Sequence, residues 1–196
     1  NPLRACTTPV AEGMNIHTQS RDLTNIRKGV LELILSSHPD DCFYCIKNGN
    51  CELQSLTKQL GMERRGDWKF AREAEPDTSS PSIVRDARKC ILCGRCIAVC
   101  GESIQTVYAL GSIGRGFETV VGPPSGKMAE SSCINCGQCV AFCPTGALHE
   151  HEEKDLVWAA LEDPEKVVIV QEAPAVRVSL AEEFDLPVGT NLTGKM

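Results

Sequence analysis

The cysteines constrain this chain more than any other feature. There are 12 in 196 residues. Eight fall in two copies of one run: Cys90, Cys93, Cys96 and Cys100, then Cys133, Cys136, Cys139 and Cys143. Disulfide scaffolds space their cysteines irregularly, and a disulfide inside a two-residue step is strained, so the pattern points to metal. Three cysteines at this spacing converge around a tight loop on one face of an iron–sulfur cubane. The fourth lies too far along the emerging helix and ligates the other cluster. The spacing therefore assigns Cys90, Cys93, Cys96 and Cys143 to one [4Fe–4S] cluster, and Cys133, Cys136, Cys139 and Cys100 to a second. Pro144 follows Cys143 as the pattern expects, whereas Gly101 follows Cys100, a departure that touches the turn and not the ligand set. A pair of zinc sites is the competing reading, but zinc usually takes two Cys-x2-Cys knuckles rather than four cysteines in 11 residues.

A second constellation lies upstream. His38, Cys42, Cys45 and Cys51 make a complete four-donor set. A structural zinc site with the same donors stands beside a histidine-ligated [4Fe–4S] cluster as a reading. The turn Asn48-Gly49-Asn50 brings Cys51 back toward Cys42 and Cys45. A neutral imidazole in place of a thiolate makes such a site less negative, which tends to raise its potential. Only Cys6 is then left over, most simply a free thiol. His149 and His151 are read as a solvated surface pair. Neither GSIGRG (111–116) nor GPPSG (122–126) joins a strand to a helix as a nucleotide loop does.

The remaining residues suggest an α+β chain in pieces. Residues 1–19 read as the tail of a preceding unit. From Ser20, Leu23, Ile26, Val30, Leu33 and Ile34 recur at helical spacing, and His38-Pro39 ends that helix. A second helix is predicted over Glu52–Leu60, closed by Gly61. Residues 20–75 would form a small helical domain holding the histidine-ligated cluster. Residues 71–82 read as a linker broken by Pro76 and Pro81. Residues 83–150 would form a two-[4Fe–4S] ferredoxin-like domain, with strand-like pieces at Thr106–Tyr108 and Phe117–Val121. A third piece, 155–196, would hold a helix over Asp155–Leu161, a buried strand over Lys166–Gln171 and a helix from Pro174 to about Phe184. A strand followed by a helix is how an α/β domain begins, and the chain stops before one could be finished.

The formal charge of −6 argues against nucleic acid and anionic membrane. No apolar run approaches the ~20 residues of a membrane span. No secretory leader is visible, and a cytoplasmic location is expected.

The order of these parts, followed by KVVIVQEAPAVRVSLAEEF (166–184) and PVGTNLTGKM (187–196), resembles an [FeFe]-hydrogenase cut short, with the likeness covering essentially the whole chain. The stretch RACTTPVAEGM (4–14) resembles the end of that family's plant-type [2Fe–2S] domain, so the resemblance makes Cys6 the last of four ligands, the other three absent. It implies that Ala173, Pro174 and Ala175 help line the pocket of the H-cluster, where H2 is reversibly oxidised. It also implies that the H-cluster ligands follow Met196, so these residues alone should be inactive. The Cys90 set would be the one nearest the H-cluster. The partners implied are the remainder of the hydrogenase chain and either ferredoxin or an NAD(P)-reducing flavoprotein subunit. Two alternatives stand beside this: the electron-transfer subunit of an NAD-linked hydrogenase or complex I-like dehydrogenase, and a structural zinc module.

Overall fold

The computed structural model describes residues 2–5, 8–62, 73–171 and 173–192. Cys6, the start of the expected linker at 71–72 and residues 193–196 lie outside the described residues. The chain divides into two compact units, residues 1–151 and 152–196.

In the first unit, helix α1 (Arg21–Ser36) starts where Ser20 Oγ accepts from Leu23 N at 3.1 Å, satisfying a donor that the first helical turn leaves without a partner. Leu31 is the buried position on its apolar face. Helix α2 (Glu52–Gln59) follows Cys51, and Gly61 just beyond it takes a left-handed φ of 58°. Leu31, Cys51 and Leu53 form a small core, against which Ile34, Leu35 and Ile91 pack. Ile91 belongs to the first cysteine run, so this core spans the helical segment and the duplicated segment.

The duplicated segment is built around its cysteines. Strand β1 (Ile83–Arg85) leads to helix α3 (Arg95–Cys100). Strands β2 (Gly111–Ile113) and β3 (Val120–Gly122) form a hairpin-like pair. Helix α4 (Gln138–Ala141) packs on α3, and strand β4 (Leu148–Glu150) returns to pair antiparallel with β1, Ile83 opposite Glu150 and Arg85 opposite Leu148. The first and last residues of the segment are thereby tied together. Ile83, Leu110, Val121, Met128, Val140 and Leu148 make the apolar core together with Cys96 and Cys139.

The structure corrects three expectations. Thr106–Tyr108 is not a strand: Thr106 and Tyr108 both have φ near 55°, and the segment curls so that Val107 N and Tyr108 N donate to the Cys100 carbonyl. Residues 77–82 are not a free linker. Asp77 pairs with Arg85 through two backbone hydrogen bonds of 2.8 and 2.9 Å, its carboxylate accepts from Met128 N at 2.8 Å, and Ser80 is buried. The Pro and Ser residues that suggested a linker instead form a strap over the core.

The third correction lies in the second unit. Helix α5 (Lys154–Glu162) and helix α6 (Val176–Glu183) form where the sequence placed helices. The run Lys166–Gln171 is not a strand and is not buried: Val167, Ile169 and Val170 are each more than 80% exposed. A strand needs a neighbour to take up its backbone groups, and among the described residues none pairs with it. The start of an α/β sheet is therefore not formed. No described helix is long and apolar enough to cross a membrane.

Candidate iron–sulfur centres

The two cysteine runs turn in the same way around their first three cysteines. In the first, Leu92 has φ 56° and Gly94 φ 75°; in the second, Asn135 has φ 56° and Gly137 φ 75°. Two left-handed residues two apart turn the backbone around a point. Glycine takes this conformation freely, whereas Leu92 and Asn135 bear a steric cost there. That turn aims backbone donors at sulfur: Leu92 N donates to Cys90 Sγ and Asn135 N to Cys133 Sγ, both at 3.4 Å. Ala109 N donates to Cys100 Sγ at 3.2 Å, which is what the curl at 106–108 achieves. Such N–H···S bonds fix where each sulfur sits.

The sulfurs gather in the crossed arrangement. A small chamber is lined by Cys90, Cys93, Cys96 and Cys143. A second is lined by Cys100, Cys133, Cys136 and Cys139. Burial pushes the Cys96 thiol up to about 12, and the neighbouring Cys90, Cys143 and Cys93 add to the shift. Burial likewise pushes Cys139 up to about 11, reinforced by Cys133, Cys136 and Cys100. In each case the sulfurs that repel most are those sharing the chamber. A buried thiol that resists ionising beside three others fits a cationic iron–sulfide core, which supplies the missing countercharge. Among the described residues, no three His, Cys, Asp or Glu side chains close around a single-ion position.

The third chamber, larger than the other two, is lined by His38, Cys42, Cys45 and Cys51. The chain turns at Cys42–Tyr44 in one 3-10 turn, with Cys45 N donating to Cys42 O. The Asn48-Gly49-Asn50 turn then reverses it. Gln54 locks that turn: its Oε1 accepts from Gly49 N at 3.1 Å, and its Nε2 donates to Asn48 Oδ1 at 3.0 Å. His38 Nδ1 lies 3.1 Å from the Pro39 carbonyl. A carbonyl only accepts, so the proton is on Nδ1 and the lone pair on Nε2, the atom a metal would take. The donor set therefore fits a cluster held by one imidazole and three thiolates.

Several residues of these centres escaped sequence reasoning because their partners are distant in the chain. Thr145 Oγ1 donates to the Lys89 carbonyl at 2.8 Å and lies 3.9 Å from Cys143 Sγ. Buried Ser80 donates to Asn135 Oδ1 at 2.9 Å, steadying the left-handed residue beside Cys133. Gly146 abuts Cys45: a Cβ on it would stand 2.7 Å from Cys45 Sγ. Its backbone conformation is open to any residue, so the clash alone explains glycine at this position. Gly146→Ala should therefore empty or distort the His38 centre, lowering iron by up to about four atoms per chain while the other two centres stay filled. Iron analysis with EPR checks this; full iron and an unaltered spectrum would contradict it. Of the other histidines, His149 Nδ1 bonds the Glu150 carbonyl and His151 Nδ1 the Ser80 carbonyl. Ala173, Pro174 and Ala175 lie just before α6, in the second unit.

Known proteins share both parts. Residues 27–65 match the NADH-ubiquinone oxidoreductase-G iron-sulfur binding region, and residues 89–147 match the 4Fe-4S dicluster domain. The chain is 48% identical over 194 residues to the NADP-reducing hydrogenase subunit HndD of Solidesulfovibrio fructosivorans, covering 98% of this chain and 33% of that one. It is 38% identical over 196 residues to iron hydrogenase 1 of Clostridium pasteurianum, covering 98% of this chain and 34% of that one. Among solved structures, one of an NAD+-reducing [NiFe]-hydrogenase in the H2-reduced state matches with a TM-score of 0.68 and 29% identity, over 76% of this chain and 63% of the other. The chain thus spans about a third of the length of the two hydrogenase relatives.

Proposed function

We infer, for a chain that belongs with the iron–sulfur electron-transfer subunits of hydrogenases and NADH-quinone oxidoreductase-like proteins, that it is the three-cluster relay of an [FeFe]-hydrogenase. Three [4Fe–4S] clusters are assigned to the His38, Cys90 and Cys133 chambers with the ligands grouped as above. When bound, each supplies a one-electron store. The chain's own residues fix the thiolates, aim N–H groups at them and keep water from the buried sulfurs Cys96 and Cys139.

One observation carries the relay. Glu52 N donates to the Pro144 carbonyl at 3.0 Å. Cys51 of the His38 set and Cys143 of the Cys90 set therefore flank a single hydrogen bond. The ion pair of Glu52 with Arg95, with Arg95 Nη2 2.7 Å from Glu52 Oε2, clamps the same junction. Cys96 and Cys139 are buried in one apolar core, which joins the Cys90 set to the Cys133 set. The order is His38 set, Cys90 set, Cys133 set. On this reading the Cys133 set lies at the end of the line away from the histidine site.

In the complete protein Ala173, Pro174 and Ala175 would contribute to an H-cluster pocket, and Cys6 would complete a [2Fe–2S] site. The relay would connect H2 oxidation or proton reduction to a ferredoxin or an NAD(P)-reducing flavoprotein subunit in the cytoplasm. No catalytic residue is assigned within this chain, and residues 1–196 alone should show no hydrogenase activity. The fold match with an NAD+-reducing [NiFe]-hydrogenase supports a second reading, an electron-transfer subunit of that kind. The wider cover of the iron hydrogenase match, which takes in α5 and α6, favours the first.

The histidine site is tested by His38→Ala. The variant should lose one cluster, about four iron atoms, or lower that cluster's potential, with the other pair intact. An unchanged EPR spectrum and potential would remove His38 from the ligand set.

A further inference from the structure

We propose that Lys89 sets the reduction potentials of both the His38 and the Cys90 centres through its charge. The proposal rests on reading both as iron–sulfur centres. Lys89 immediately precedes Cys90, and its ammonium lies 3.2 Å from the carboxylate of Asp41, which immediately precedes Cys42. It also lies 3.8 Å from the Asp86 carboxylate. The side chain is only 12% exposed. Its stem reaches the same spot that Cys45 occupies: a methyl on Gly146 would stand 3.5 Å from Lys89 Cδ and 2.7 Å from Cys45 Sγ. On the other side, the Lys89 carbonyl accepts from Thr145, next to Cys143. The Lys89 cation thus reaches the His38 set through Asp41, while its own backbone, one residue before Cys90, is tied to Thr145 beside Cys143.

Reduction adds negative charge to a centre. A nearby fixed cation stabilises the reduced form, and does so more strongly when little water screens it. The two carboxylates bear on this differently. Asp86 is already held by two hydrogen bonds from the Arg88 side chain, at 2.9 and 2.8 Å. Asp41 makes its short ion pair with Lys89, so that pair sets the balance of charge beside Cys42.

The test compares three variants of the cluster-loaded protein by EPR-monitored redox titration. Lys89→Met should shift the potentials of the His38 and Cys90 centres to more negative values and leave the Cys133 centre unmoved. Lys89→Arg keeps the charge and should restore both. Asp41→Asn removes the opposing charge and should shift the His38 centre to more positive values. A purely structural role would move Lys89→Met and Asp41→Asn alike, or would move all three centres, and either result overturns the proposal. So do unmoved potentials, in which case the iron–sulfur reading survives. A wild-type protein without iron would overturn both together.

Discussion

Cys90→Ser and Cys143→Ser, 53 positions apart in sequence, should abolish the same cluster, whereas Cys90→Ser and Cys100→Ser, within one run, should abolish different ones. The expected iron counts separate these cases. The Cys90/Cys143 double variant should lose about four iron atoms and the Cys90/Cys100 double variant about eight. The physical ground is the gathering of sulfurs: Cys143 lines the chamber of Cys90, Cys93 and Cys96, while Cys100 lines that of Cys133, Cys136 and Cys139. The reverse pattern, about eight iron atoms lost from the Cys90/Cys143 variant and about four from the Cys90/Cys100 variant, would show that each run holds its own cluster and that the crossing is wrong.

The second large effect concerns stability. Removing iron and sulfide should abolish the cooperative folding of residues 83–150, not merely bleach the protein. Among the described residues, the main apolar cluster there holds six buried side chains apart from cysteine, and its strands are three residues long. Six of the eight cysteines of the two runs pack in or against that core. Clusters would replace the apolar side chains that a domain of this size otherwise needs. Backbone hydrogen exchange in cluster-free protein should show lost protection across β1, α3, α4 and β4. Retained protection there, or an unchanged melting temperature, would mean that the core stands without its clusters.

What could be read from the sequence divides along a physical line. Cysteine spacing is local, so the tight turns within each cysteine run were legible, as were α1 and α2 with their terminal Ser20 and Gly61. The strands were not. Three residues are too few to show alternation, and Thr106–Tyr108 has strand-forming residues that the backbone bends around Cys100 instead. Lys166–Gln171 has a strand's composition, but pairing depends on a partner and not on composition. Contacts across the junction were illegible for the same reason. Nothing near Gly146 announces Cys45, about a hundred residues earlier, and nothing near Lys89 announces Asp41. The same holds for Glu52, whose N–H donates to the Pro144 carbonyl about ninety residues away.

The most direct measurement is the iron and acid-labile sulfide content of anaerobically purified protein. About twelve of each per chain, in a brown sample that bleaches on reduction, is the predicted result. A colourless sample carrying stoichiometric zinc and no sulfide would contradict it.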